Sequence, residues 1–254
     1  MSNIQAFSSG GGTQSSCIAA MICLGDLPKP DYAAIVDTHY EADSTWRYMD
    51  EFVYPALKAV GVELVRVPSK EYATVGLYGG KNKDTLLIPA WTTESGEVGK
   101  LPTLCSNEWK VRVFQRWLRE NGVKGADIWI GYSIDEKKRI RVQQGPWQHR
   151  WPLIEKKLRR QDSINYVERM GWPIPPRSAC WMCPNMNDLE RKEQKENEPE
   201  DFKKAVLFEK AIQKEDDCVW LTQRAKPLDE IDYNEESDQT DLFESHCPNT
   251  GCFT

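Results

Sequence analysis

Three consecutive glycines, set between a short apolar run and a long apolar stretch, constrain this chain more than any other feature. Ile4 to Phe7 reads as a short buried strand, Ser8-Ser9-Gly10-Gly11-Gly12 follows, and Thr13 to Leu24 reads as a buried helix capped by serine or threonine. The rhythm then repeats. Ala33 to Val36 gives a second strand that ends at Asp37, an amphipathic stretch runs from about Ser44 to Val60, Gly61 closes it, and Glu63 to Val67 gives a third strand. Strands alternating with helices need right-handed crossovers in a parallel sheet, so the expected class is α/β, with helices on both sheet faces.

Downstream the pattern loosens. Glycine becomes frequent between Tyr72 and Leu104, where Leu86 to Trp91 with Ser95-Gly96 suggests a hairpin beside the sheet. Helical spacing returns from Asn107 to Glu120, and Asp127 to Gly131 reads as another buried strand, expected to be the last of the sheet. Beyond about residue 145 the chain is first rich in Pro and Trp, then strongly charged with helical spacing over 186–215, then acidic over 228–245. The expected division is therefore an α/β domain over 1–145 and a small α-rich, cysteine-containing subdomain with an acidic tail over 146–254.

The 254 residues carry a formal charge of −6, which argues against a protein that coats nucleic acid electrostatically. No stretch nears the roughly 20 apolar residues of a membrane span, and the start lacks the order of a secretory signal. A cytoplasmic protein with no membrane partner is expected. In such a compartment eight cysteines are better read as metal ligands or redox groups than as disulfides.

A glycine run between strand and helix lets backbone amides point at one anion, backed by the positive end of the helix dipole. Ser9, Gly10, Gly11, Gly12, Thr13, Gln14 and Ser15 fit that need, the hydroxyls adding donors for phosphate oxygens. No lysine follows the last glycine, and the GxGxxG spacing is absent, so neither common phosphate or dinucleotide loop applies. Asp37, at the end of the second strand, can reach the same crevice for a ribose, an amino group or magnesium, or can cap a helix. His39 lines that pocket or is simply half-buried, and His149 and His246 read as surface residues.

Ser8 to Ser15 resembles the PP-loop of the adenine nucleotide alpha hydrolase superfamily, in particular the phosphoadenosine phosphosulfate reductase-like proteins frequent in phages and bacterial mobile elements. Further blocks agree in order: 25–41, 104–112, 128–136, 151–155, 175–184 and the terminal HCPNTGCFT. The resemblance implies a PP-loop fold that binds ATP or another adenine nucleotide, with Thr38 beside Asp37 at the nucleotide. It also implies a second substrate-facing loop made of Gly131, Ser133, Asp135 and Glu136, with Lys110 and Arg112 as phosphate or substrate contacts. Lys110, Arg112, Asp135 and Glu136 are thus the candidate catalytic residues. The superfamily's usual SGGxDS has an acid where Gln14 stands, a departure that bears on magnesium and ATP geometry.

Cys180-Trp181-Met182-Cys183-Pro184 spaces two thiolates for one metal or one cluster edge, after a rigid Pro-rich approach unlike that of a thioredoxin motif. The expected ligand set is Cys105, Cys180, Cys183 and Cys252, with Cys247 the substitute for Cys252. Cys17 and Cys23 sit at apolar helical positions and read as core thiols, and Cys218 as packing. Four thiolates accept either a [4Fe-4S] cluster or zinc, and the resemblance to enzymes that thiolate tRNA or DNA favours the cluster.

Three functions follow. The first is adenylylation of a nucleic-acid or small-molecule acceptor by ATP, followed by sulfur transfer, with RNA or DNA as partner. The second is reduction of phosphoadenosine phosphosulfate by a tail cysteine, and the third a non-catalytic nucleotide-binding protein stapled by metal. The sequence leaves open a homodimer.

Overall fold

The computed structural model describes residues 3–79, 85–141 and 143–234. Two units emerge from it, the first containing described residues 3–73 and 108–179 and the second 74–79, 85–107 and 180–234.

The first unit is built on a five-stranded sheet. Its strands are β1 (Ile4–Ser9), β2 (Tyr32–Asp37), β3 (Leu64–Pro68), β4 (Ala126–Trp129) and β5 (Trp147–Arg150), in the order β3-β2-β1-β4-β5. Every neighbouring pair is parallel, with Phe7 opposite Ala33 and Trp129, Ile35 opposite Arg66, and Trp129 opposite Arg150. Because β-strand side chains alternate, the two faces take different residues. Phe7, Ala33, Ile35 and Trp129 pack into one core with helix α1 (Thr13–Leu24), while Ala6, Ala34, Val36 and Ile128 pack into a second core with helix α2 (Arg112–Glu120). The sheet is thus apolar on both sides and covered on both sides, as the α/β class requires.

Helix α1 is buried from Thr13 to Ile22, which explains its continuous apolar run. It ends at Gly25, whose φ of 79° is the left-handed cap that glycine adopts freely. Helix α3 (Arg160–Arg169) packs against it. Cys17 is fully buried, and burial pushes its thiol up to about 12. It is the core thiol expected.

The fifth strand departs from expectation, since the sheet does not end at β4. Trp147-Gln148-His149-Arg150 is an edge strand with one apolar residue, so no hydrophobic alternation betrays it. Polar contacts hold it instead: the Gln5 amide oxygen accepts from Trp129 Nε1 at 2.7 Å and from Arg150 Nη1 at 3.2 Å, linking β1, β4 and β5. The consequence is that the first unit runs past residue 145, through α3 to residue 179, and the second unit takes its early part from 74–107.

The second unit has a three-stranded antiparallel sheet, with Trp91–Thr92 between Val219–Trp220 and Gly99–Lys100, and a pairing of Tyr78–Gly79 with Thr85–Leu86. The charged segment expected to be helical forms α4 (Asp188–Asn197) and α5 (Pro199–Ile212). Buried Glu209 on α5 accepts the backbone N–H groups of Leu221 at 2.9 Å and Leu228 at 2.7 Å, pinning two loops to the helix. Burial raises its carboxyl despite those bonds.

His149 is not the surface residue the sequence suggested. It lies half-buried on β5, edge-on to Trp151 with centroids 6.3 Å apart, and burial lowers its pKa to about 4. A histidine depressed in the folded state takes up its proton first in the unfolded chain, near pH 6.5, so stability present above that pH is lost as pH falls toward 4. At most about 3 kcal/mol is at stake. Chemical denaturation across pH 4–7 is expected to show this loss in the wild type and a flatter profile in His149→Gln; equal slopes would contradict it.

Candidate functional site

Strand order fixes where a site can form. From β1 the chain crosses to β2 and β3 on one side, then returns to β4 and β5 on the other, so the crevice between the carboxyl ends of β1 and β4 is the topological switch point. Gly10 to Gly12 follows β1, and Ile130-Gly131 follows β4. A narrow cleft opens there, lined by Ser9, Gly10, Ser15, Glu41, Lys110 and Gly131 among others.

The glycines are required by close approach. Gly11 has φ 78°, and a Cβ on it would come within 2.8 Å of Thr45 Cγ2 and 3.2 Å of Ile35 Cδ1. A Cβ on Gly131 would lie 3.0 Å from the backbone of Gln14 and Ser15, so only glycine lets the loop after β4 seat against the first turn of α1. Ser178 donates to the carbonyl of Gly10 and lies beneath Gly12, bracing the loop from outside.

The amides of the loop are arranged differently from the simple expectation. Gly10 N–H donates to Ser15 Oγ at 2.9 Å and Gly11 N–H to Ser9 Oγ at 3.3 Å, so these two lock the turn. The amides of Thr13, Gln14 and Ser15, in the first turn of α1, have no intrahelical acceptor and carry the positive end of the dipole. Because Ser9 and Ser15 accept through oxygen, their own O–H groups remain donors for an anion. Gly10 is half-buried on the cleft, whereas Gly11 and Gly12 are buried.

Gln14 explains its own departure from the usual acid. Its Nε2 donates to Glu136 Oε2 at 3.0 Å, and Glu136 also accepts the Ser133 N–H at 3.3 Å and pairs with Arg139. Ser133 is fully buried and Asp135 exposed, the latter accepting the Arg160 N–H at 2.7 Å. A carboxylate at position 14 would face Glu136 directly. Gln14→Glu is expected to destabilise the protein by ~1–3 kcal/mol in thermal unfolding, and Glu136→Gln in the same chain to restore most of it. An unchanged melting temperature in the single variant would contradict the pairing.

Asp37 is buried at the end of β2, but its carboxylate is engaged. Arg66 approaches Oδ2 at 2.7 Å and 2.9 Å while stacking on Trp46, and the His39 N–H donates to Oδ1 at 2.7 Å. His39 adopts φ 65°, and Thr38 accepts the Tyr40 N–H at 3.3 Å, so residues 37–41 form a tightly determined turn. That turn delivers Glu41, which the sequence reading had passed over, to Lys110 Nζ at 2.7 Å. Of the two predicted cations, Lys110 lines the cleft, while Arg112 is exposed and pairs with Glu108 one turn away. Arg112 stands on a solvated helix face.

In the second unit, the turn at Cys180 to Pro184 is held by its carbonyls. Cys180 O accepts the Cys183 N–H at 2.9 Å. Arg191, 1% exposed, donates to Trp181 O at 2.9 Å and Cys183 O at 2.8 Å, Gln194 donates to Trp181 O at 2.9 Å, and Trp91 Nε1 donates to Pro184 O at 3.1 Å. Arg191 and Gln194, three apart on α4, lie within the strongly charged run expected to be helical. Cys105 is half-buried, with its N–H on Leu87 O at 2.8 Å. Among the described residues, the one trio of His, Cys, Asp or Glu close enough to share a metal is exposed Asp216 and Asp217 with Cys218, and Cys105, Cys180 and Cys183 form no such group. Cys247, Cys252 and His246 lie outside the described residues.

The first unit is therefore an open parallel-sheet α/β protein with a glycine loop and a cation at its switch point. No protein-family model matches the chain, and no curated protein matches it. Several solved structures resemble it, two of them as follows. One is phosphoadenylyl-sulfate reductase from Candida auris in a phosphate complex, at 16% identity and TM-score 0.42, covering 70% of this chain and 81% of the other. The second is the U34-tRNA thiolase NcsA from Methanococcus maripaludis with its [4Fe-4S] cluster, at 14% identity and TM-score 0.44, covering 82% of this chain and 71% of the other. At those values no residue roles transfer, and the fold rests on the strand order and register given above. Among the described residues no helix is long and apolar enough to cross a membrane.

Proposed function

We propose that this chain is a PP-loop ATP-pyrophosphatase-like enzyme that activates an acceptor by adenylylation, with sulfur transfer as the onward chemistry. The observation that carries the reading is the switch-point cleft, lined by Ser9, Gly10, Ser15 and Lys110 at the amino-terminal end of α1, with the Ser9 and Ser15 hydroxyls beside a glycine loop. Such a set is suited to a polyphosphate: fixed dipoles stabilise charge that grows on phosphate oxygens without reorganising during the reaction. In the reaction an acceptor oxygen attacks the α-phosphorus of ATP, the bond to the bridging oxygen breaks, and pyrophosphate leaves with the electron pair. Sulfur or nitrogen then displaces AMP from the adenylate.

The residues divide the work. The α1 amides and serine hydroxyls bind phosphate oxygens, and Lys110 neutralises the Glu41 carboxylate, which would otherwise repel them. Glu136, with Gln14, holds the loop over 131–136 against α1, and Asp135 at its exposed edge faces an acceptor. Arg112, on its solvated face, has no part in this scheme. Asp37 shapes the turn that carries Thr38 and Glu41, and magnesium accompanies ATP. RNA or DNA is the acceptor class this reading favours, with a small molecule the other, in a cytoplasmic enzyme.

Cys180 and Cys183 fit one edge of a four-thiolate site, because a turn whose carbonyls are already held presents its side chains from a fixed base. With Cys105 and Cys252 they would hold a [4Fe-4S] cluster, or zinc in its place. When bound, the cluster would carry or supply sulfide. Adenylylation itself needs only the cleft.

The experiment is pyrophosphate release from ATP by anaerobically purified protein, with tRNA and DNA as acceptors. Release that depends on an acceptor is expected, reduced roughly 10²- to 10³-fold in Lys110→Met and unchanged within about twofold in Arg112→Gln. No release with any acceptor, together with thioredoxin-dependent sulfite release from phosphoadenosine phosphosulfate, would assign the cleft to a reductase instead. Iron and sulfide are expected in the same preparation, and zinc without iron would contradict the cluster.

A further inference from the structure

Glu41 stands in the cleft with half of its carboxylate engaged. Its side chain is 2% exposed, and Oε1 meets Lys110 Nζ at 2.7 Å and Thr38 Oγ1 at 3.4 Å. Oε2 is also buried and has no hydrogen-bond partner among the described residues. Buried polar atoms are almost always satisfied, and an unmatched carboxylate oxygen is among the costliest exceptions. Rotation offers no escape, since Lys110 holds the other oxygen and the turn through left-handed His39 fixes the backbone.

The pair with Lys110 makes the spot nearly neutral, so what Oε2 presents is an acceptor and not a cation site. An ionised carboxylate only accepts, and it repels phosphate. The anionic end of a ligand therefore belongs with the α1 amides, and the group that meets Oε2 must be a neutral donor elsewhere on the same molecule.

Resting on the reading of this cleft as a nucleotide site, we propose that Glu41 is a specificity-determining residue whose Oε2 accepts a hydrogen bond from the nucleoside, a ribose hydroxyl or the exocyclic amino group of the base. A nucleotide lacking that donor leaves the oxygen buried and unmatched. Its affinity falls by roughly 10- to 100-fold.

The test is equilibrium binding of ATP, 2′-deoxyATP, 3′-deoxyATP and inosine triphosphate, the last with a carbonyl oxygen in place of the amino group. Wild type is expected to bind one of the three analogues roughly 10- to 100-fold more weakly than ATP, and which one identifies the donor. In Glu41→Gln, Lys110 selects the amide oxygen and turns the NH₂ toward the ligand. ATP affinity should then fall to that of the discriminated analogue, and Glu41→Ala should bind the two equally. Analogues all within about twofold of ATP would overturn this inference alone, leaving Oε2 to water and the nucleotide reading intact. Discrimination that survives in both variants would also overturn it, since another group then reads the donor. Failure of every nucleotide to bind would overturn both.

Discussion

The contact between Gly131 and the first turn of α1 is the one on which the site depends. A parallel sheet with order β3-β2-β1-β4-β5 opens a crevice beside β1, but an opening is not yet a site. The loop after β4 has to come close enough to make a wall, and the absence of a Cβ on Gly131 allows an approach that any other residue would push back. Gln14 and Glu136 then tie the two walls together by a hydrogen bond. Gly11 and Gly12 do the same on the opposite side, where the side chains of Ile35, Thr45 and Ser178 crowd in. The cleft is narrow because backbone packs on backbone at Gly131 and side chains close on Gly11 and Gly12.

Charge is distributed in that cleft with some economy. Lys110 is held by Glu41, Arg66 by Asp37 and Arg139 by Glu136, so these three cations are each matched by a carboxylate. What remains for an anion is the field of helix amides and hydroxyls, which is directional and does not depend on a mobile side chain. An arrangement of this kind favours the charge distribution of a polyphosphate over simple attraction of any anion.

Much of this was legible in the residues. Strands β1 to β4 and helix α1 announce themselves because both sheet faces are buried and the apolar runs are continuous, and the glycine loop is visible by its place between them. β5 was hidden because an edge strand held by Gln5, Trp129 and Arg150 needs no hydrophobic alternation. Glu41 and Arg191 were hidden for a different reason. Each is a charged residue whose burial is decided by partners outside its own helix or turn, Lys110 for the one and the carbonyls of Trp181 and Cys183 for the other. Gln14 was noticed as a departure, but its meaning lay 122 positions away, in Glu136.

The central claim is that a nucleotide's phosphates are received by the amino-terminal amides of α1 at the switch point. Amide hydrogen exchange, followed by mass spectrometry with and without ATP, tests it most directly. Slowed exchange confined mainly to peptides covering residues 10–16 and 130–136 is expected. Protection that falls elsewhere in the chain while those peptides stay unchanged would contradict it.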